Sequence, residues 1–266
     1  MALFEMKRGG GDALRAALAT LGAFVASIVL LPLRKEFAPM EVAVQSMLPK
    51  MDADAMALQV SKLVQLNTVS DRSEIPTHLS AESQGNMKAA HALLRSFYPH
   101  LFAEAKVETI NEYSLLLTLP ALENRHAPQR PALLMCHLDV VSIENGTAPL
   151  WGKAAGCETC GPFSGAIHNG FVWGRGTLDM KQYCVAMLYA AERLLQQNKE
   201  SRAAGGEGGG GGVPRWLPSH PILFALGHDE ESGGEEGHAR IVQHLLDQGI
   251  DELEFVHDEV LWAGMR

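Results

Sequence analysis

Pro131-Ala132-Leu133-Leu134-Met135-Cys136-His137-Leu138-Asp139-Val140 decides the fold: an apolar run ends on a histidine and, two positions later, an aspartate. A run without polar interruption suits a strand buried on both faces, as in parallel sheets covered by helices. Side chains two apart in an extended segment point the same way, so His137 and Asp139 project together where the strand releases the chain. One can ligate a metal while the other holds the far ring nitrogen and fixes its tautomer. Taken alone, an H-x-D pair is more often a surface or capping pair.

Working outward, the same arrangement recurs. Pro221 to Leu226 is a second buried strand, followed by Gly227-His228-Asp229-Glu230-Glu231-Ser232-Gly233-Gly234; Leu253 to Val256 is a third, followed by His257-Asp258-Glu259. Gly174-Arg175-Gly176-Thr177-Leu178-Asp179 opens a helix expected over Asp179 to Gln197, where Asp179 alone would pass as an ordinary N-cap. Glu230 and Glu231 are adjacent, and two such carboxylates repel unless cations or protons relieve them. If one binds metal, the other can handle a proton. Without the other clusters, this turn would pass as a solvated acidic loop leading into a helix. Histidine and carboxylates gathered at strand ends predict a site for two zinc ions.

Helical spacing over Ala55 to Leu66, Asn86 to Phe97 and Glu235 to Gln248, with strands at Lys106 to Ile110 and Ser114 to Leu119, completes an α/β chain. The expected fold is a largely parallel sheet flanked by helices. Residues 201–216, almost pure glycine over Gly205 to Val213, are expected to be a flexible insertion.

At 266 residues and 47% hydrophobic, the chain can build one sizeable domain. A net charge of −9 disfavours nucleic acid as a partner, because gripping phosphates needs clustered Lys and Arg. Cys136, Cys157, Cys160 and Cys184 are too scattered for a disulfide scaffold, and Cys157-Glu158-Thr159-Cys160 is expected to be an ordinary loop insertion. Residues 1–35 form a tail in which Ala16 to Leu33 is apolar or small throughout, with basic flanks. Its roughly 18 residues predict a signal anchor, hence a membrane-anchored protein facing a secretory or vacuolar lumen. The sequon Asn145-Gly146-Thr147 agrees with lumenal exposure.

In order along the chain, His137-Leu138-Asp139-Val140-Val141, Trp151, Pro162-Phe163-Ser164-Gly165, Gly174-Arg175-Gly176-Thr177-Leu178-Asp179-Met180-Lys181 and Gly227-His228-Asp229-Glu230-Glu231 resemble one family. It is the zinc metallopeptidase family of carboxypeptidase S, aminoacylase and the N-fatty-acyl-amino-acid synthase/hydrolases. The carboxypeptidase S-like branch is the most similar. The resemblance implies that His137 binds one zinc, Asp179 bridges both, Glu231 binds the other, and Asp258 returns to the first. It implies Asp139 as the partner of His137, Glu230 as general base, and a cis peptide after Asp179. It also implies hydrolysis of amide bonds in small peptides or N-acyl amino acids.

The family continues into a lid and dimerisation domain and a distal histidine ligand. Residues 36–266 are therefore expected to be a partial catalytic domain holding at most one zinc tightly, with homodimer formation not fixed by the sequence. Glu259 stands as understudy to Asp258, because the glycines the family tends to place after that acid are absent. The alternative is a non-catalytic relative acting as a binding or regulatory fragment.

Overall fold

The computed structural model describes residues 50–121, 130–203 and 218–259. Its centre is a five-stranded sheet in the order β1-β2-β6-β3-β7, built from β1 (Lys106–Ile110), β2 (Ser114–Leu119), β3 (Ala132–His137), β6 (Ile222–Gly227) and β7 (Phe255–His257). A separate hairpin pairs β4 (Ala166–His168) with β5 (Phe171–Trp173). Helices α1 (Ala53–Val64), α2 (Ala81–Phe97), α3 (Pro99–Glu104), α4 (Ala148–Ala155), α5 (Lys181–Ala203) and α6 (His238–Asp247) surround them.

The apolar runs are buried for the expected reason. Leu115, Leu117, Phe224 and Leu226 enter one core with α1, α2 and α5, while Leu116, Leu223 and Ala225 enter a second with Ile241 and Leu245 of α6. Alternate residues thus feed opposite faces, and both faces are covered. The sheet is mixed, however. β3 runs parallel to β6 and to β7, whereas β1–β2 and β2–β6 are antiparallel. A central strand buried on both faces has the same apolar composition in either direction, so composition could not decide between them.

Local chemistry sets the helix starts. Asp52 caps α1 by accepting from the Asp54 and Ala55 amides, and Ser80 caps α2 by accepting from Ser83. α6 begins at His238 rather than Glu235, because the Glu236 amide is taken by the Asp229 carboxylate and the chain is still turning there. α5 begins at Lys181 rather than Asp179, and the Asp179–Met180 peptide is cis. The Lys181 side chain is 1% exposed. Its ammonium donates to the Leu63 and Leu66 carbonyls at 3.1 and 3.0 Å, satisfying acceptors at the end of α1.

The cysteines depart from expectation. Cys136 on β3 is bonded to Cys184 on α5, and Cys157 to Cys160. The first pair is 48 residues apart in sequence but adjacent where helix meets sheet. The expectation of a membrane anchor is also corrected: no helix among the described residues is long and apolar enough to cross a membrane. Ala16 to Leu33 lies outside the described residues, as does the glycine-rich stretch from residue 204 to 217.

Candidate metal centre

β3 and β6 are in parallel register, with His137 opposite Gly227, so both release the chain at the same end of the sheet. β7 pairs with the first half of β3, His257 opposite Leu134, and the chain runs on two residues to bring Glu259 towards the same end. Asp179 reaches this end from the loop before α5, and Glu230 and Glu231 sit on a short 3-10 turn, Glu230–Ser232.

His137 is the hub, 1% exposed. Its Nδ1 lies 3.0 Å from the Asp139 carbonyl oxygen and 3.4 Å from the Asp139 carboxylate. With Nδ1 donating there, Nε2 faces a ring of acids: Asp179 at 3.1 Å, Glu230 at 3.8 Å and Glu259 at 4.0 Å. Two groups of potential ligand atoms result, His137–Asp179–Glu231 and His137–Glu230–Glu259, each with its atoms within 4.8 Å of one another. Nitrogen and carboxylate oxygen are the donors a zinc ion takes. Both groups use the same imidazole.

Electrostatics favour a cation here. Burial alone would lower the His137 pKa, but hydrogen bonds to the Asp139 and Asp179 carboxylates raise it to about 11. Glu231 is pushed up to about 7, first by burial and then by the neighbouring Asp179 charge. Glu259 is pushed up for the same two reasons. Asp179 is held below its ordinary value chiefly by its hydrogen bond to His137. Carboxylates that must take up protons to coexist are a donor set short of positive charge.

Asp139 does more than the H-x-D spacing suggested. Its Oδ1 accepts from the Glu230 amide and its Oδ2 from the Glu231 amide, both at 3.1 Å. Oδ2 also accepts from the Ser70 hydroxyl at 2.6 Å. One buried carboxylate therefore fixes the imidazole and the acidic turn together. Burial pushes its pKa up, but the hydrogen bonds from His137, Ser70 and Glu231 outweigh that and hold it low. Nothing in the sequence marked Ser70. It is placed by pairing of Val69 with Val140, a contact 71 positions long in sequence that leaves no local pattern.

Of the residues expected from sequence, His137, Asp139, Asp179, Glu230 and Glu231 come together. Asp258 does not: it belongs to neither ligand group, and its carboxylate accepts from the Glu259 amide at 2.9 Å. Glu259 reaches His137 instead. Adjacent residues leaving a strand project to opposite sides, so only one of the pair can face the imidazole. His228 is fully buried, its Nδ1 2.7 Å from the Ser114 hydroxyl, and serves the interior.

Residues 133–204 match the model of peptidase family M20/M25/M40. An N-fatty-acyl-amino acid synthase/hydrolase of Danio rerio is 33% identical over 71% of this chain and 32% of its own length. Carboxypeptidase S of Saccharomyces cerevisiae is 31% identical over 64% of this chain and 25% of its own length. By these matches the chain is similar to members of peptidase family M20/M25/M40. It spans about a third of the length of the first of these M20 relatives and a quarter of the second. The fold agrees: human carnosine dipeptidase 1 superposes with a TM-score of 0.52 at 15% identity, covering 77% of this chain and 38% of that one. An M20 metallo-carboxypeptidase from Sulfolobus solfataricus gives 0.51 at 15% identity, over 79% and 37%.

Proposed function

We propose that this chain cleaves amide bonds in small peptides or N-acyl amino acids, using zinc held by His137, Asp179 and Glu231. The observation that supports it best is a single buried imidazole whose Nε2 is ringed by carboxylates while Nδ1 is held from behind by Asp139. When bound, zinc would supply Lewis acidity towards the scissile carbonyl and water. Because both ligand groups share His137, one ion at a time takes a nitrogen ligand from the described residues.

The protein's own residues divide the remaining work. Asp139 orients the ring and clamps the turn that carries both glutamates. Glu231, half-buried and grouped with Asp179, is the inner ligand. Glu230 stands at the rim with its side chain 41% exposed, where its carboxylate takes a proton from the attacking water and passes it to the leaving nitrogen. Glu259 lies next to it as an outer ligand, its carboxylate 4.0 Å from His137 Nε2.

The test is hydrolysis of N-acyl amino acids and dipeptides by the zinc-reconstituted chain. Glu230→Gln should lower turnover at least about 100-fold while zinc content is unchanged. Turnover that survives the substitution overturns the role of Glu230. Absence of turnover in a folded, zinc-loaded chain favours the non-catalytic reading.

A further inference from the structure

Asp229 stands just before the two glutamates and takes no part in the chemistry above, yet it is fully buried. Its carbonyl accepts from the Ser232 and Gly234 amides at 3.1 and 2.8 Å, and its carboxylate Oδ2 from the Glu236 amide at 2.8 Å. One residue therefore folds the acidic turn back on itself. A Cβ at Gly237 would come within 2.4 Å of Oδ1, so the chain stays bare where the carboxylate packs.

Among the described residues, one side chain is hydrogen-bonded to this carboxylate. His78 Nδ1 lies 3.0 Å from Oδ2, across 151 positions of sequence, and the imidazole is buried. A carboxylate oxygen accepts, so Nδ1 donates. His78 holds a φ of +58°, a left-handed conformation that costs energy for a residue with a Cβ. Its carbonyl accepts from the Asp71 amide at 2.8 Å, its amide donates to the Glu74 carbonyl at 2.6 Å, and Ser70 pairs with Leu79. These contacts fix the point from which the imidazole departs. Ser70 belongs to the same loop, so the segment between α1 and α2 grips the acidic turn from two sides. It does so through Asp139, which takes the Glu230 and Glu231 amides, and through Asp229, which takes that of Glu236. The ion pair of Arg72 with Glu235 is exposed and adds little.

Resting on the metal site read above, we propose that His78 is a positioning residue. Acting through Asp229, it sets the turn so that Glu231 stands in one ligand group with Asp179 and His137. What the turn takes from His78 is the hydrogen on Nδ1. An asparagine Nδ2 occupies the place of that atom and asparagine accepts positive φ, whereas glutamine carries its amide one bond further out.

Zinc titration tests this without turnover, with urea unfolding in chelator to confirm that each chain is folded. His78→Ala should weaken zinc about tenfold. His78→Asn should return to within about twofold of the native chain, and His78→Gln should not. In chains that also carry Glu231→Gln, His78→Ala should cost less than about twofold, because the ligand it positions is gone. Should His78→Ala not fold, His78→Asn and His78→Gln make the same comparison. Undiminished affinity without the imidazole, equal losses with and without Glu231, or no rescue by asparagine each overturns the proposal. A native chain that binds zinc but hydrolyses no N-acyl amino acid or dipeptide sinks the proposed reaction alone. One that binds no zinc sinks the metal site and this proposal together.

Discussion

The two sides of the ligand cluster are built differently. His137 and Asp139 are 1% and 0% exposed and tied into the sheet end, whereas the side chains of Asp179, Glu230 and Glu259 are 59%, 41% and 35% exposed. The inner side is over-determined, with one carboxylate meeting an imidazole, a hydroxyl and two amides. The outer side is set by a three-residue edge strand and by loops. The difference teaches that metal affinity should depend on the buried anchor and on Asp179, which it holds by hydrogen bond through His137, more than on Glu230 and Glu259 at the rim.

The largest expected effect follows from Asp139→Asn. The amide is nearly isosteric, but its NH2 group would confront donors now satisfied by carboxylate oxygen, and the charge facing His137 is lost. Removing one partner from a buried network of this kind costs about 3–5 kcal/mol. Weakened support of a metal-bound imidazole lowers affinity about 10- to 100-fold. Urea unfolding with and without chelator, and zinc titration, measure the two. A variant as stable as the native chain, with unchanged zinc affinity, would show that the anchor and the rim do not differ as described.

Glu231 stands between the two sides and makes the comparison depend on pH. Its pKa rises from 4.5 to about 7 in the metal-free fold. Between those values the folded chain holds a proton that the unfolded chain has released, so this group's contribution to metal-free stability falls as pH rises through that window. His137, raised from 6.5 to about 11, acts in the same direction but over the higher window. Zinc must displace the Glu231 proton. Below pH 7 the native chain's apparent zinc affinity should therefore climb about tenfold more per pH unit than that of Glu231→Gln. Parallel slopes from pH 5 to pH 7 would refute the placement of Glu231 against Asp179.

What the sequence made legible follows the same division. β1 and β2 are expected at the limits observed, Lys106–Ile110 and Ser114–Leu119, because the turn residues Asn111 and Glu112 separate an alternating segment from an apolar one. The apolar run before His137, and the one before Gly227, announced a strand end with polar groups beyond it. Strand direction was not legible, since burial on both faces removes the alternation that orientation arguments use. Nor was Ser70, whose place depends on the bridge between Val69 and Val140. The cysteine pairing of β3 with α5 was likewise a property of packing. Groups that follow an apolar run, and Asp179 in its glycine-bounded turn, are visible in the chain; Ser70 and the cysteine pairing, set by long-range contact alone, are not.

At the rim, the smallest effect is the most discriminating, because the family resemblance implies Asp258 and the structure presents Glu259. β7 pairs with β3 through Phe255, Val256 and His257 only, so the orientation of the next two residues depends on the register of a single short ladder. In that register the Glu259 carboxylate reaches His137, and Asp258 accepts from the amide of its neighbour. Glu259→Gln should then weaken zinc binding roughly three- to tenfold, up to about 1.4 kcal/mol, with unfolding unchanged. Asp258→Asn should change neither. The reverse result, with Asp258 sensitive and Glu259 silent, would mean that zinc draws β7 round by one residue and exchanges the faces of the pair. The rim would then be organised by the ion it binds rather than prepared for it.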